Sequence, residues 1–546
     1  MVLKMNKKTV FFSAITAFTV AMCGCIGLNN EEYRMSDDLA EISVKDTLIP
    51  VRPGGEGRPF WNRYAIQFIY APAFEFAKID GAAEYLFEAK DRFGKVHSFT
   101  ADSPYAALSP VWRNIPAGPV WLEVSAVDGR GNKIAVAGQK TFYRNAPFVN
   151  SYPSKVRSYL ECARKNCEYL FNLKYVQSLA DGKPDLSYPL FCYPSKMYSS
   201  IINVMVGYSE LNPAKREKAL KIAEGAADYL IEKAVPAGKE LEFLPQTYEG
   251  KNEAAGKFGG TIMMLYPANV GSAMLNLYKI NQKQKYLDYA VKIGEQYLKL
   301  QQPNGTWYLV LKIADGNPTV NNYCVPTGIM AYLEKLSAVT GDNKYAAAAQ
   351  KGMPHLLRMM DTFNWEGQFE DVEAQSVPYL NLTKHNATAA YLYLCSRNPS
   401  DKKLAAGARE VQRFAEDQFI VWEQFGWTGK YDPFSPRKEE NSLNPVWGWM
   451  NQHTPCVLEQ YRCYVPVNAS YAKLIRFYLL MYDLDKKPLD LAKARALGDS
   501  LTRIQLDDGR IPTWMNQALS ADTDWINCDV SVINALTLLA KYDSIK

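Results

Sequence analysis

Histidine and paired cysteine are what this sequence has least of. Only four of its 546 residues are histidine, and none stands at ligand spacing from a cysteine, so we expect no structural zinc site. Two of the ten cysteines lie near the N-terminus, and the other eight are scattered through apolar helical patterns without a CxxC pair. Most of the eight are predicted to be small buried hydrophobic side chains, and a disulfide between two of them stays open as an alternative.

The chain also lacks an excess of charge of either sign. Lysine and arginine number 62 against 57 aspartate and glutamate residues, and no basic stripe of the kind that binds nucleic acid is present, so no nucleic-acid partner is expected. Aromatic residues, in contrast, are abundant, with 35 tyrosines and 11 tryptophans. Apolar rings with a polar edge suit sugar rings, so the composition favours a carbohydrate partner.

The first 25 residues have the pattern of an export signal. Three lysines precede an apolar run, Thr9–Met22, that is too short to span a membrane as a helix. The run ends in MCGC, and bacterial lipoprotein signals end in a small residue followed by the cysteine that becomes lipidated. We therefore predict a lipoprotein signal over residues 1–25, a lipid on Cys25 and a tether over residues 26–42, with a plain secretory signal as the alternative. The predicted location is the outer membrane, at its periplasmic face or at the cell surface, with membrane contact only through the lipid.

Residues 43–150 alternate between apolar and polar residues, with turn sequences between the alternating stretches. AAEYLFEAKDRFGKVHSFTA predicts two strands around an RFG turn, and VWLEVSAVDGRGNKIAVAGQKTFYR predicts a hairpin around DGRGN. The predicted fold of this domain is a small β-sandwich of immunoglobulin or fibronectin-III type.

From residue 151 to residue 546 the hydrophobic period changes to that of helices. Every second predicted helix is charged on one face, and those between are apolar nearly all round, which predicts alternating outer and inner helices. Connections from inner to outer helices are short and those from outer to inner are long, which predicts an (α/α)6 toroid whose long loops share one end. The twelve helices are predicted at about 153–175, 193–209, 213–234, 261–281, 283–301, 323–339, 343–361, 379–395, 400–419, 467–484, 488–506 and 529–543.

Carboxylates on the long loops are the candidate catalytic groups. WEGQFEDVEAQ, residues 365–375, falls between the seventh and eighth helices, on the predicted rim. Glycoside hydrolysis needs two carboxyl groups across the scissile bond, one of them with a raised pKa. We predict Glu370 or Asp371 as one group and Glu459 as the other, with Glu366 and Glu373 as reserves and with no metal or cofactor.

Aromatic, histidine and arginine residues on the same loops are candidate substrate contacts. Six inner-helix N-termini meet at this end, and their unpaired N–H groups favour an anion such as a uronic acid carboxylate. Arg462 is a natural bidentate partner for a uronate, with an internal ion pair to Glu459 as the alternative. The predicted substrate-binding residues are Tyr248, Trp307, Tyr308, Tyr323, His385, Trp447, Trp449, His453, Tyr461 and Arg462.

Two stretches carry a resemblance to a known family. EDVEAQSVPYLNLTKHNATAAYLYL and TPCVLEQYRCYVPVNAS resemble β-glucuronidases of glycoside hydrolase family 154, over Ser151 to Lys546. The wider layout is similar to unsaturated glucuronyl hydrolases, toroid polysaccharide lyases and glucuronyl C5-epimerases. What the resemblance implies is an exo-acting enzyme that removes a terminal uronic acid from plant or host glycans; it assigns no catalytic position in this chain.

Two other functions fit the same residues. A uronate lyase or C5-epimerase abstracts the proton beside the carboxylate, for which tyrosine and histidine are suited; in that case Tyr248, Tyr308, Tyr323, His385 and His453 matter most. A non-catalytic glycan-binding surface lipoprotein is the other, but such proteins are built on tetratricopeptide-like helices and lack a leading β domain. The alternation of inner and outer helices counts against that second function.

Overall fold

The computed structural model describes residues 32–33, 37–51, 67–149, 152–362, 385–423, 455–458, 466–514 and 524–545. Near the N-terminus, β1 (Glu32–Tyr33) pairs with a strand at Tyr152–Pro153. Helix α1 (Asp37–Thr47) follows and buries Leu39 and Thr47. Residues 37–42, which the sequence analysis assigned to a tether, therefore belong to a packed helix, because the apolar side of this short helix lies against a later helix of the chain.

The domain that follows is built on one five-stranded sheet. Its strand order is β2-β6-β5-β3-β4, antiparallel except for the parallel pair of β2 and β6. The elements of this domain are β2 (Gln67–Phe68), β3 (Glu84–Lys90), β4 (Val96–Ala101), α2 (Ser109–Trp112), β5 (Gly118–Val127) and β6 (Lys133–Arg144), and β7 (Tyr152–Pro153) follows it.

The two-layered sandwich expected for this domain is not what residues 67–149 form. Along β3 only alternate side chains are buried, including Tyr85 and Phe87, so the sheet has a single apolar face. A segment containing Phe74, together with α2 and its fully buried Trp112, covers that face. The opposite face carries charge, with the Lys133 ammonium 2.5 Å from Glu88. Because the charged face is exposed to solvent and the apolar face is already covered, no second sheet is needed to complete the core.

The described residues of the C-terminal part form a closed double ring of twelve helices, as predicted. Each inner helix contacts the next, and the last contacts the first, so the inner ring closes; the first outer helix packs on the last inner one. The outer helices are α3 (Tyr159–Asn172), α6 (Arg216–Glu232), α9 (Gln284–Leu300), α11 (Asn343–Thr362), α13 (Lys402–Phe419) and α15 (Pro488–Ile504). The inner helices are α5 (Pro194–Leu211), α8 (Tyr266–Asn281), α10 (Thr327–Thr340), α12 (His385–Arg397), α14 (Asn468–Asp485) and α16 (Ile526–Leu539). Short elements between them are α4 (Lys174–Gln177), α7 (Glu253–Phe258), β8 (Thr261–Met263), β9 (Val310–Lys312), β10 (Ile420–Val421) and β11 (Cys456–Val457).

All long connections leave the ring at one end. Each inner helix turns directly into an outer helix, for example from Asn281 to Gln284, so the outer-to-inner connections share the opposite end. Two pairs of short strands, β8 with β9 and β10 with β11, join segments of these connections. We call this end the mouth; the inner helices begin there.

Small residues let the inner helices approach one another. A Cβ atom on Gly271 of α8 would lie 2.4 Å from the ring of Tyr332 on α10, closer than two such atoms can come. The Tyr332 hydroxyl in turn donates a hydrogen bond to the Ala290 carbonyl of α9. A glycine in an inner helix thus makes room for an aromatic side chain of its neighbour.

The N-terminal domain is joined to the ring through a buried polar contact. The Asp417 carboxylate accepts hydrogen bonds from the backbone N–H groups of Ile69 at 2.6 Å and Tyr70 at 3.0 Å. The Tyr70 hydroxyl donates to Glu416 at 2.8 Å, and Lys493 lies 2.9 Å from the same carboxylate. Both charged residues of that ion pair are almost fully buried. The segment at residues 69–70 is therefore anchored to α13 and α15 together.

The described cysteines are all free thiols, and all but Cys192 are buried. This confirms the prediction that most cysteines act as small hydrophobic side chains; Cys463 lies outside the described residues. Of the helices in the described ranges, none combines the length and the apolar character needed to cross a membrane.

Candidate functional site

Each inner helix leaves only one narrow stripe of its surface accessible. On α5 the accessible positions are Lys196, Ser200, Asn203 and Gly207, with buried residues between them, followed by Glu210 and Leu211 at the end of the helix. This spacing of three or four residues follows one side of a helix. Neighbouring inner helices cover the flanks and outer helices cover the back, so the remaining side faces the space enclosed by the ring. We call this space the lumen.

The lumen stripes are rich in cations and amides. On α10 and α14 the stripes carry Lys335, Lys473 and Arg476, in addition to Lys196 on α5. The carboxylate of Glu334, next to one of these lysines, is already engaged by two groups of α12. The Tyr393 hydroxyl lies 2.5 Å from one of its oxygens, and the Arg397 guanidinium lies 3.0 Å from the other. The described inner helices thus give the lumen a positive character.

Side chains of three successive inner helices are hydrogen-bonded to one another well inside the lumen. The Lys335 ammonium donates to the Asn276 side-chain carbonyl and, at 3.2 Å, to the Ser272 backbone carbonyl. The Asn276 amide then donates to the Asn203 side-chain carbonyl at 2.7 Å. We call this chain of Lys335, Asn276 and Asn203 the floor. Burial, followed by repulsion from Lys279, lowers the pKa of Lys335.

Aromatic side chains line part of the mouth next to α5. The Lys196 ammonium lies 4.4 Å from the centre of the Trp525 ring and 5.9 Å from that of Tyr193. Tyr193 packs edge-on against Tyr248 at 6.2 Å, and Tyr248 stacks on Phe258 at 5.7 Å. Tyr248 therefore stands in an aromatic group at the rim, where its own ring is mostly buried by these neighbours.

A second aromatic group stands before α10. Tyr308 and Tyr323 face each other across an antiparallel bridge, with their rings stacked at 4.9 Å. A hydrogen bond with the Tyr308 hydroxyl, followed by burial, raises the pKa of Tyr323. His355 of α11 lies 6.1 Å from the Tyr323 ring. Burial, with a smaller effect of Arg358, lowers the pKa of His355 to about 4, so this imidazole is neutral at pH 7.

Trp307 has a packing role instead of the predicted contact with substrate. Its indole is fully buried and donates a hydrogen bond to the Tyr297 carbonyl at 2.8 Å. The sequence placed it on a rim loop together with Tyr308, but in the strand that leads to β9 successive side chains point to opposite sides. One of the two neighbours faces the core, and that is the tryptophan.

Two carboxylates near the mouth are turned toward outer helices. Asp529 of α16 accepts a hydrogen bond from Asn166 of α3 at 3.1 Å, and burial raises its pKa well above the ordinary value. Glu249 accepts one from the Tyr229 hydroxyl of α6 at 2.5 Å. Because their partners lie on the outer ring, neither group is aimed into the lumen.

The predicted catalytic residues fall outside the described residues. These are Glu370, Asp371 and Glu459, and the reserves Glu366 and Glu373 lie there too. The same holds for Trp447, Trp449, His453, Tyr461, Arg462 and the lipidation site Cys25. His385 is the first residue of α12, and its side chain lies outside the description. Of the predicted site residues that are described, Tyr248, Tyr308 and Tyr323 lie on connections at the mouth.

The floor residues and Arg476 were missed by the sequence analysis. Their signal in the sequence is a polar residue at helical spacing within an otherwise apolar helix, as with Asn269, Ser272 and Asn276 of α8. The same pattern is common on the wet side of any surface helix. Only the closure of the ring shows that this side faces an enclosed space.

Ring closure, one-sided connections and an enclosed polar lumen together define an (α/α)6 toroid with its candidate site inside the inner ring. No family model matches the sequence, and no curated protein matches it either. Distant likenesses exist among solved structures. A family 76 glycoside hydrolase from a bovine Bacteroides thetaiotaomicron strain has a TM-score of 0.44 and 12% identity, covering 86% of this chain and 94% of that one.

Two further solved structures show a similar degree of likeness. A cellobiose 2-epimerase from Spirochaeta thermophila has a TM-score of 0.41 and 10% identity, covering 66% of this chain and 88% of that chain. A D-mannose isomerase has a TM-score of 0.44 and 11% identity, covering 64% and 86%. The evidence for the toroid is the set of helix contacts within this chain, because structural likenesses this distant do not establish a fold.

Proposed function

We propose that this protein is an exo-acting glycoside hydrolase that removes a terminal uronic acid, of the glucuronic acid type, from complex glycans. One observation carries the proposal: the described inner helices line the lumen with cations and amides, three of which are joined in the floor. A space enclosed by the inner ring and entered from the mouth accepts the end of a glycan chain more readily than its middle. Cations on its walls favour an end that bears a negative charge.

The aromatic groups at the mouth support the carbohydrate part of the proposal. Trp525 and Tyr323 are partly exposed and present ring surfaces and polar edges near the start of the inner helices. Such surfaces pack against the apolar face of a sugar while leaving its hydroxyl groups free to form hydrogen bonds.

The two carboxyl groups that hydrolysis needs remain Glu370 or Asp371 and Glu459 in this proposal. One group protonates the glycosidic oxygen as the bond to the anomeric carbon breaks; the other activates water or attacks that carbon. Two carboxylates of the described inner helices are Asp529, which faces an outer helix, and Glu334, which is bound by Arg397. Three more, Glu210, Asp483 and Asp485, stand in the last turn of their helices, at the end away from the mouth. A carboxyl pair supplied by the rim loops is therefore consistent with what lines the lumen.

The test is release of glucuronic acid from a synthetic β-glucuronide, with the matching β-glucoside as the control substrate. Glu370→Gln, Asp371→Asn and Glu459→Gln are each assayed, and loss of one acid–base group should lower kcat by about 10²–10⁴-fold. Glu217→Gln, an exposed carboxylate on α6, is the matched control and should retain full activity. Full activity in all three rim variants would show that the catalytic assignment is wrong.

A uronate lyase or C5-epimerase is the second candidate, and one observation favours it. The hydrogen-bonded pair of Tyr308 and Tyr323 supplies phenol groups of the kind that abstract or deliver a proton at C5. A lyase would yield an unsaturated product with ultraviolet absorbance, and an epimerase would exchange the C5 hydrogen with solvent without cleavage. Loss of either signal in Tyr323→Phe, with no effect of the rim carboxylate variants, would favour this candidate over the hydrolase.

The lipid anchor on Cys25 and the outer-membrane location are also part of the proposal. They rest on the N-terminal pattern of the sequence. Cys25→Ser should abolish incorporation of labelled palmitate and move the protein from the membrane to the soluble fraction of expressing cells. Cys23→Ser is the matched control and should change neither. Unchanged labelling of the Cys25 variant would contradict the assigned lipidation site.

A further inference from the structure

We propose that the floor and Arg476 together form an anion-binding subsite, in which Arg476, Lys335 and Asn203 receive the charged substituent of the innermost sugar. The subsite deepens the proposed function, on which it rests for the identity of the ligand as a sugar. It is distinct from the rim residues predicted from the sequence, including Arg462.

The three residues lie at a similar depth below the mouth. Lys335 and Arg476 each stand in the third turn of their helix, and Asn203 stands at the corresponding level of α5. At a rise of about 1.5 Å per residue, each lies about 12–14 Å from the start of its helix. Since Cα–Cβ bonds tilt toward the helix N-terminus, these side chains point inward and up toward the mouth.

The dimensions of the ring bring such side chains together. Packed helices lie about 8–10 Å apart, and in a six-membered ring the distance from each axis to the centre equals that spacing. An extended Arg476 side chain covers most of this distance. The Lys335 ammonium lies instead against α8, where Ser272 and Asn276 accept its hydrogen bonds. In the order of the ring α14 stands opposite α8, so Arg476 extends across the lumen toward the floor.

The direction of the hydrogen bonds makes the floor a surface of donors. Lysine can only donate, so its partner atom on Asn276 is the side-chain carbonyl, and the amide of Asn276 must face Asn203. That amide donates a hydrogen bond to the side-chain carbonyl of Asn203. The NH2 group of Asn203 then has no partner among the described residues. Lys335 uses two of its three N–H groups on protein carbonyls, which leaves the third for a ligand.

Arg476 adds a guanidinium that the described part of the chain leaves unpaired. It is accessible within the lumen, yet the surrounding protein desolvates it enough to lower its pKa. A partly desolvated guanidinium attracts an anion more strongly than a fully hydrated one does. The arrangement is accounted for when an anionic ligand supplies the missing charge.

The ligand chemistry follows from a donor-only surface that carries two positive charges. It matches an oxyanion on the sugar, either the carboxylate of a uronic acid or a sulfate ester, and not a neutral sugar whose hydroxyl groups must also donate. Guanidinium groups form paired hydrogen bonds with both kinds of oxyanion.

The experiment measures binding by calorimetry, independently of turnover, with D-glucuronate, D-glucose 6-sulfate and D-glucose as probes. Wild-type protein should bind at least one anionic sugar more tightly than glucose, and the tighter of the two identifies the oxyanion. Arg476→Gln and Lys335→Met should each raise its dissociation constant about 10- to 100-fold, as expected for the loss of one charged hydrogen bond. Arg476→Lys should lose less, and Lys402→Gln and Arg503→Gln, both on exposed outer-ring positions, should lose nothing.

A second measurement separates loss of the subsite from loss of the fold. Because Arg476 has no described protein partner, Arg476→Gln should unfold at the same or a higher temperature than the wild type when no sugar is present. Unchanged affinity for the anionic sugar in Arg476→Gln and Lys335→Met would overturn the proposal, as would loss confined to Arg462→Gln. Anion binding that depends on Arg476 without hydrolysis of any glucuronide would support the subsite and reject the proposed reaction.

Discussion

Replacing Asp417 by alanine should be among the most destabilising single changes in this protein. One oxygen of this fully buried carboxyl group accepts the N–H groups of both Ile69 and Tyr70, which joins the N-terminal domain to α13. Burial, the largest cause, raises the pKa of Asp417 well above its ordinary value, so the fold favours the protonated form. Asparagine has the shape of that form and retains the accepting oxygen.

The size of the destabilisation follows from the two backbone N–H groups, of Ile69 and Tyr70, that lose their acceptor. A buried N–H group without an acceptor costs about 1–3 kcal/mol, so Asp417→Ala should lower the free energy of unfolding by about 2–6 kcal/mol. Asp417→Asn keeps both acceptor contacts and should stay within about 1 kcal/mol of the wild type. It should also remove a pH dependence: a raised carboxyl pKa makes the fold most stable at low pH and less stable as the pH rises toward that pKa.

Asp401, at the N-terminus of the same helix, provides a matched control. Its carboxylate also accepts two backbone N–H groups, those of Lys403 at 2.9 Å and Leu404 at 3.0 Å, but it is exposed. Water replaces the lost acceptor there, so Asp401→Ala should cost about 1 kcal/mol. Urea unfolding followed by circular dichroism measures all three variants. If Asp417→Ala costs no more than Asp401→Ala, burial does not set the cost and the reasoning fails.

Two further predictions concern buried positions in the ring. Burial raises the pKa of Asp499 to about 6 from 3.8. Its contribution to stability is therefore present below about pH 4 and is lost as the pH rises to about 6. Asp499→Asn should make the free energy of unfolding independent of pH across that window and should raise it by about 3 kcal/mol at pH 7. A Cβ on Gly225 would lie 1.7 Å from the Leu179 carbonyl oxygen, so Gly225→Ala should cost about 1–3 kcal/mol or more in urea unfolding. Gly207→Ala, with no atom within 4 Å of its new Cβ, should be neutral or slightly stabilising. Equal effects of the two alanine substitutions, or an unchanged pH profile for Asp499→Asn, would contradict these explanations.

The buried contact between the N-terminal domain and the ring bears on how the two parts function together. Trp422 follows β10 directly and packs against Phe148 at 4.7 Å and Tyr152 at 6.3 Å. These two residues belong to the connection between the sheet and the ring. The N-terminal domain is therefore packed against the start of the connection from α13 to α14, which gives it a structural role in holding that part of the ring.

The positions of the twelve helices could be predicted because they depend on local periodicity. An amphipathic stretch such as Gln284–Leu300 and an apolar one such as Ile526–Leu539 differ in composition along the chain itself. Short and long connections then determine which ends of the helices are shared. Ring closure itself is shown by the contact between the last and the first inner helix, which no local pattern records.

Side-chain direction could not be predicted in the same way. Trp307 was expected on the rim with Tyr308, but its side chain is buried. Alternation along an extended segment does not reveal which side faces the core. The single sheet of the N-terminal domain was likewise expected to be a sandwich. There, the covering layer comes from irregular chain and the short helix around Trp112, which has no periodic signal.

By itself, the sequence determined the class of fold, the alternation of helices and the end at which the long loops gather, since each of these is recorded in neighbouring residues. Only the tertiary structure decided which side chains line the lumen. Asn203, Asn276 and Lys335 are separated by 73 and 59 residues along the chain, and they meet because successive helix pairs place equivalent turns at the same height. A polar stripe has the same appearance in sequence whether it faces bulk water or an enclosed space, and the closed ring is what brings these three residues into contact.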